Sequence, residues 1–402
     1  MASPDRRPPP RGWLTVIYPA ILLGLLGTAA FAVPATNDRQ SGLANEPRSA
    51  LVDGLYAEFT TPRGVMVAEL FYQKAPLMCA NFTGLAEGTL APRNGQPFYT
   101  GLTFYRVVPG FVIQSGNPGL KDTDDEKVPH PWHFPDEFVP GLRHDATGVL
   151  SMANAGPDTN SCEFFLTLRD TNRLNYLHSV FGRIVRGLEV LPQIRQDDAV
   201  AIRILRIGAA ARAFRNDLAS FQALAAAAKK YAGPAAPGPA AAFDDPDRLL
   251  PQDVPRAKNF NFKLANFERA TGLRIVGRIF AKSPSAEEDK VAGAYMRALA
   301  QKLGVAQRGA LAAYFADEDD WRVWIGDEST SAFFGRAATP ADLVEGGAFH
   351  RVKEAFLNAT RAAGDAEFAR QQSSGQAVPP AQHLKLQTDA VLDGLIDKLE
   401  PK

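Results

Sequence analysis

Cysteine is scarce. Only Cys79 and Cys162 occur in 402 residues, with no CxxC pair and no spacing of the kind a metal site uses. That excludes a scaffold built on disulfides. With Cys79 in a predicted helix and Cys162 in a predicted strand region, the two read as buried free thiols rather than a bridge. Net charge is lacking as well: Lys plus Arg number 44 and Asp plus Glu number 44. No overall field draws nucleic acid or an anionic membrane, which argues against a polyanion-binding role. His130, His133 and His144 fall in one stretch without periodicity, but no Cys joins them and Pro131 stiffens the chain, so no metal site is expected there.

What is present points to more than one folded unit, because 402 residues is long for a single core. At the N-terminus Arg6, Arg7 and Arg11 precede an apolar run from Trp13 to Val33, with Ala30-Phe31-Ala32 as a small-x-small cleavage site. The rest of a twin-arginine signal is absent and no Cys follows to accept lipid. Residues 1–35 therefore read as an export signal that is cleaved, or as an N-terminal membrane anchor, since about 20 apolar residues suffice to span a bilayer. The expected location is the bacterial periplasm or cell envelope, with anchoring to the inner membrane if the segment is kept.

From Leu55 the pattern is β-rich. Tyr56–Thr60 and Gly64–Phe71 form a predicted hairpin, and Pro76 opens a helix in which Met78, Phe82, Leu85 and Ala86 recur at helical spacing. Further strands are expected near 103–108, 111–116, 148–152, 163–168, 179–186 and 200–207, with a second helix near Leu188–Arg195. Eight strands and two helices are enough to close a sheet on itself. Residues 116–147 form a long loop, of the kind that is either functional or disordered.

Two stretches stand out. In Phe104–Pro118, FYRVVPGFVIQSGNP, Pro109-Gly110 is a turn pair between two short strands, which sets Arg106 and Gln114 on neighbouring strands. An Arg in an apolar strand is costly to bury unless partnered, and its fork of donors suits carbonyl oxygens. On spacing alone Arg106 is as readily a surface strand residue. The second stretch is Gly148–Leu168, GVLSMANAGPDTNSCEFFLTL.

Together these words, followed by LNYLHSVFGRI, resemble the cyclophilin family of peptidyl-prolyl isomerases over about Leu55–Gly208. The resemblance implies the same closed, eight-stranded, helix-capped barrel, in a domain taken as 50–208. It assigns catalytic roles to Arg106, Phe111 and Gln114, and substrate-binding roles to Val112, Ala153, Asn154, Glu163, Phe165, Leu174 and His178. Phe111, Val112, Phe165 and Leu174 would line a proline pocket, Arg106 would face the prolyl carbonyl or nitrogen, and Gln114 would hold Arg106 or the substrate carbonyl in place. Ala153 and Asn154 would clamp the peptide N-terminal to proline, and His178 would close the rim. Without the family pattern Phe111, Phe165 and Leu174 would read as plain core.

The chemistry needs no metal and no cofactor. An amide rotates against a barrier of about 18–20 kcal/mol because resonance stiffens its C–N bond. A catalyst has only to hold the ring, exclude water and stabilise the twisted imide. Three positions depart from the family: Glu163 where Gln is common, Arg173 where an aromatic stands, and Val112 for a commoner Met. Loss of that aromatic implies weak inhibition by cyclosporin-type ligands. The partners implied are proline-containing polypeptides. A binding module that captures such segments with little turnover is the rival reading.

Residues 209–243 read as an Ala-rich helix and a Pro/Ala-rich linker. Residues 244–402 alternate helices and strands, giving a separate α/β domain of unknown role and unknown partner. The words FERATGLRIV, ALAAYFAD and WRVWIG resemble a TPM domain, and the acidic run Asp317–Asp320 reads as an exposed hairpin turn.

Overall fold

A computed structural model of the chain describes residues 51–90, 96–118, 132–250, 256–344, 346–373 and 378–402. Residues 1–35, expected to act as an export signal or membrane anchor, and His130 lie outside the described residues. Residues 51–402 form one compact unit.

The chain begins with the hairpin β1 (Gly54–Thr61) and β2 (Gly64–Leu70), followed by α1 (Pro76–Glu87). Then come β3 (Leu102–Thr103), β4 (Arg106–Val108), β5 (Val112–Ser115), β6 (Val149–Met152), β7 (Phe164–Thr167), β8 (Val180–Arg186) and β9 (Ala199–Ile207). These nine strands make one curled antiparallel sheet in the order β3-β9-β1-β2-β8-β6-β7-β5-β4. Two expectations are corrected here. The sheet has nine strands rather than eight, and it is a half-barrel rather than a closed one. The predicted strand 103–108 is two strands with partners at opposite edges: β3 pairs with β9, and β4 pairs with β5. The chain turns between them at Phe104, whose N–H donates to Asp198 O and whose carbonyl accepts from Asp197 N.

The second predicted helix is also corrected. Leu188–Gln193 is a 3₁₀ turn with Pro192 inside it, entered from Gly187 in the left-handed region at φ 73°. Proline removes a donor that an α-helix would need there.

Alternation along the strands fixes the inside. Ile113, Leu150, Met152, Phe164 and Leu166 join the barrel core with Phe59, Phe82 and Phe181. Phe82 of α1 plugs the end of the curl, 5.3 Å from the rings of both Phe164 and Phe181. Ala75 offers no side-chain cap to this helix. The Glu137 carboxylate instead accepts from Leu77 N at 3.2 Å and Met78 N at 3.0 Å. Cys79 and Cys162 are buried free thiols, and burial raises the pKa of both.

The rest of the chain starts with two short helices, α2 (Gly208–Ala213) and α3 (Leu218–Ala227), and a strand β10 (Phe243–Asp244). Next are α4 (Arg256–Thr271), β11 (Ile275–Phe280), α5 (Ala294–Lys302), β12 (Ala310–Phe315) and β13 (Asp320–Ile325). Four helices complete it: α6 (Thr330–Phe334), α7 (Pro340–Leu343), α8 (Ala348–Ser373) and α9 (Ala381–Leu399). The second sheet runs β10-β11-β12-β13, parallel at its first two junctions and antiparallel at the third. Met296 and Ala300 of α5 pack on one face with Val276, Leu311 and Phe315. Phe260, Phe267, Leu392 and Leu395 of α4 and α9 cover the other.

Several contacts tie this layer to the barrel, among them those of Tyr176 and Arg269. Tyr176, from the barrel's sequence, belongs to the second core and stands edge-on to Phe267 at 5.2 Å. Arg269 of α4 reaches Asp158 Oδ1 at 2.8 Å and the buried Asp136 Oδ2 at 3.3 Å. The Pro/Ala-rich stretch runs against the second sheet, where the Arg278 guanidinium donates to the carbonyls of Pro239, Ala241 and Ala242.

Candidate active site

Residues opposite one another in an antiparallel ladder point to the same face. Arg106 of β4 lies opposite Gln114 of β5, Gln114 opposite Phe165 of β7, and Phe165 opposite Ser151 of β6. The four make one row across four strands, on the face turned away from the barrel core. Val107, the neighbour of Arg106, packs inward. Val112, two residues before Gln114 and 2 % exposed, extends the row along β5.

The polar end of the row is a network. Arg106 Nη1 donates to Gln114 Oε1 at 3.1 Å. Gln114 Nε2 in turn donates to Glu163 Oε2 at 3.0 Å and to the Tyr105 hydroxyl at 2.5 Å, while that hydroxyl donates to Glu163 Oε2 at 2.6 Å. Asn117 Nδ2 is 3.5 Å from the other carboxylate oxygen. Glu163 thus fixes which end of the Gln114 amide faces Arg106. Burial, and next the Glu163 charge, raise the Tyr105 pKa, so the phenol keeps its proton.

The apolar end is built on Phe165, 4 % exposed. His144 stacks on it at 5.7 Å and His178 meets it edge-on at 5.3 Å. Burial lowers both imidazole pKa values, to about 3 for His144 and about 4 for His178, so both rings are neutral at pH 7. Their partners define the tautomers. Met152 O can only accept, so His178 Nδ1 carries the proton across 3.0 Å. Asn175 Oδ1 likewise takes the His144 Nδ1 proton, leaving Nε2 to accept from the Ser151 hydroxyl at 2.9 Å. With both ring nitrogens so used, His144 buttresses Phe165. Among the described residues no cluster of three metal-ligating side chains occurs.

Phe111, in the turn between β4 and β5, and Leu174 are both half-buried. The Phe111 backbone is pinned by Leu168 N, which donates to its carbonyl at 2.8 Å. Arg173, at the position where the family has an aromatic, lays its guanidinium 4.4 Å over the Phe111 ring. Arg173 and Arg169 both approach Glu367 of α8, at 3.9 Å and 3.2 Å. Leu174 ends a 3₁₀ turn, and its carbonyl accepts from Leu177 N and His178 N. The Ala153 N–H is committed to Glu163 O at 3.0 Å, which leaves its carbonyl for other work. The Asn154 side chain holds its own loop, donating to Leu177 O at 2.8 Å and accepting from Gly156 N at 3.3 Å.

All ten residues singled out in the sequence therefore lie on or beside this face. Tyr105, His144, Ser151 and Asn175 were missed as parts of it. Tyr105 stands next to Arg106 in the same word and could have been picked up. His144 sits in the long loop, where nothing in the sequence marks its stacking on Phe165. Asp136 and Glu137, also in the long loop, are hubs of hydrogen bonding, and burial raises their pKa values to about 6 and about 7.

The family model for cyclophilin-type peptidyl-prolyl cis-trans isomerase matches residues 56–209. Peptidyl-prolyl cis-trans isomerase-like 1 of Aspergillus fumigatus is 37 % identical over 136 residues, covering 34 % of this chain and 79 % of the relative. Peptidyl-prolyl cis-trans isomerase ppi1 of Schizosaccharomyces pombe is 41 % identical over 133 residues, covering 33 % and 80 %. A probable peptidyl-prolyl cis-trans isomerase A of Mycobacterium leprae is 39 % identical over 143 residues, covering 34 % and 76 %. A solved cyclophilin of Cryptosporidium parvum aligns with 39 % of this chain and 99 % of its own at 27 % identity and a TM-score of 0.33. This chain belongs to the cyclophilin-type peptidyl-prolyl cis-trans isomerase family, and its isomerase domain is followed by about half a chain that the family model does not cover.

Proposed function

We propose that the outward row Arg106, Gln114 and Phe165 is the isomerase groove. The proline ring rests on Phe165, Val112, Phe111 and Leu174, and Arg106 donates to the prolyl carbonyl or to the nitrogen as it regains its lone pair. The observation that carries this reading is the Arg106–Gln114–Glu163 relay, which holds a guanidinium on the same outward row as Phe165, with Gln114 between them. A group fixed before the reaction stabilises the twisted imide without reorganising. His178, neutral at the rim, contributes shape rather than charge.

A protease-coupled assay on a proline-containing tetrapeptide tests it. Arg106→Ala is expected to lose about 10²- to 10³-fold in kcat/KM, the range for removing one preorganised donor. Full rate in that variant refutes the mechanism, and a wild type no faster than background leaves only the capture of proline segments.

We propose further that the enzyme acts on exported proteins, on the strength of the basic flank and apolar run of residues 1–35. Mass analysis of chain recovered from envelope fractions checks this. A start just after Ala32 supports cleavage, an intact N-terminus in the membrane pellet supports the anchor, and recovery from cytosol alone overturns both.

A further inference from the structure

Beyond Asn154 and His178 the groove runs into a cavity of about 230 Å³ whose far wall is outside the isomerase domain. Asn154, Pro157 and His178 form the near side, and Asn259, Phe262 and Asn266 of α4 the other. The three α4 residues stand at i, i+3 and i+7, on one face of the helix. That face is held in place: Arg269, one turn on, grips Asp136 and Asp158, and Asp136 also accepts from Asn160 Nδ2 at 2.7 Å and Asn154 Nδ2 at 3.4 Å. The loop and the helix that wall the cavity thus share one carboxylate.

The cavity is below the usual size for a small-molecule site, about 300–1,000 Å³, and suits a single side chain. Its chemistry is specific. Asn266 is 1 % exposed and its Nδ2 donates to Tyr176 O at 2.8 Å, which fixes the amide orientation and leaves Oδ1 a buried acceptor without a partner. The His178 tautomer makes Nε2 an acceptor too. Among the described residues no carboxylate and no cation lines the space, and the Phe262 and Pro157 rings supply flat apolar walls.

We propose that this cavity is a subsite for the substrate residue on the Asn154 side of proline, and that it selects a neutral donor side chain, Asn or Gln, with the amide laid on Phe262 and its N–H₂ toward Asn266. The proposal rests on the groove reading above, because the same peptide must occupy both. It makes α4, from the part of the chain without an assigned role, a specificity-determining wall of the enzyme.

The test uses the full chain and proline peptides carrying Gln, Glu or Leu at the first or second position before proline. Both kcat/KM in the coupled assay and Kd by calorimetry are read. Gln is expected to exceed its isostere Glu and the similarly sized Leu by about three- to tenfold, the span of one net hydrogen bond. In Phe262→Ala, and in Asn266→Ala if it folds, the three peptides should converge to within about twofold by the same reasoning. Equal values in the wild type, or an unchanged ranking in Phe262→Ala, overturns the subsite. Turnover with a flat ranking defeats the subsite and spares the isomerase reading. A ranking in Kd without turnover does the reverse.

Discussion

Glu163 replaces a neutral amide with a carboxylate at a point where three donors converge: the Tyr105 hydroxyl, Gln114 Nε2 and Asn117 Nδ2. An ionised carboxylate is all acceptor, so it serves every one of them. An amide offers one acceptor end and must turn its N–H₂ toward another donor. Glu163→Gln is therefore expected to loosen Gln114 and, through it, Arg106, lowering kcat/KM by about three- to tenfold for the loss of one net hydrogen bond. Steady-state kinetics on a single tetrapeptide checks this, and a faster variant would mean that the carboxylate competes with substrate for the guanidinium. Arg173 is the other informative exchange. Its cation stacks on Phe111 and is neighboured by Glu367, so the rim is stiffened by charge where the family uses a ring.

At the scale of elements, α1 shows how a distant residue completes a local structure. Proline opens it and Gly88, left-handed at φ 77°, closes it, and both signals are readable in sequence. The cap comes from Glu137, some sixty residues away in the chain. Burial raises this carboxyl from 4.5 to about 7 in the fold, against two backbone hydrogen bonds that pull the other way. Between those values the native state holds more protons than the unfolded one, so the contribution is fully present below pH 4.5 and is lost as pH rises through about 7. Relative to wild type, Glu137→Gln should thus gain about 2 kcal/mol on going from pH 5 to pH 8. Urea unfolding at the two pH values measures it, and a difference independent of pH would remove Glu137 as the titrating group. The same long-range logic splits the strand predicted at 103–108. Its residues are uniformly β-forming, and only the partners available at each edge divide it into β3 and β4.

On the scale of the whole molecule, the two cores meet at Tyr176, Arg269 and Arg143, the last paired with Asp397 and Glu400 of the C-terminal end. The Arg269 side chain is 10 % exposed and that of Asp136 is fully buried. Pairs in such surroundings fix geometry, because breaking one strands a charge. Composition marked the 232–243 stretch as Pro- and Ala-rich, but not that Arg278 would take up its carbonyls.

By itself the sequence determined the strands that alternate and the two words that carry Arg106, Gln114 and Phe165, because side-chain direction along a strand follows from a period of two. The resemblance those words carry, with LNYLHSVFGRI after them, named the ten residues proposed for the groove, Leu174 and His178 coming from that third stretch. Only the tertiary structure decided the open edge of the sheet, the stacking of His144 and Arg173, and the wall that α4 raises beside Asn154. Those depend on pairs far apart in the chain, such as Arg269 with Asp136 and Glu367 with Arg169, and no local periodicity encodes which distant partner a side chain will find.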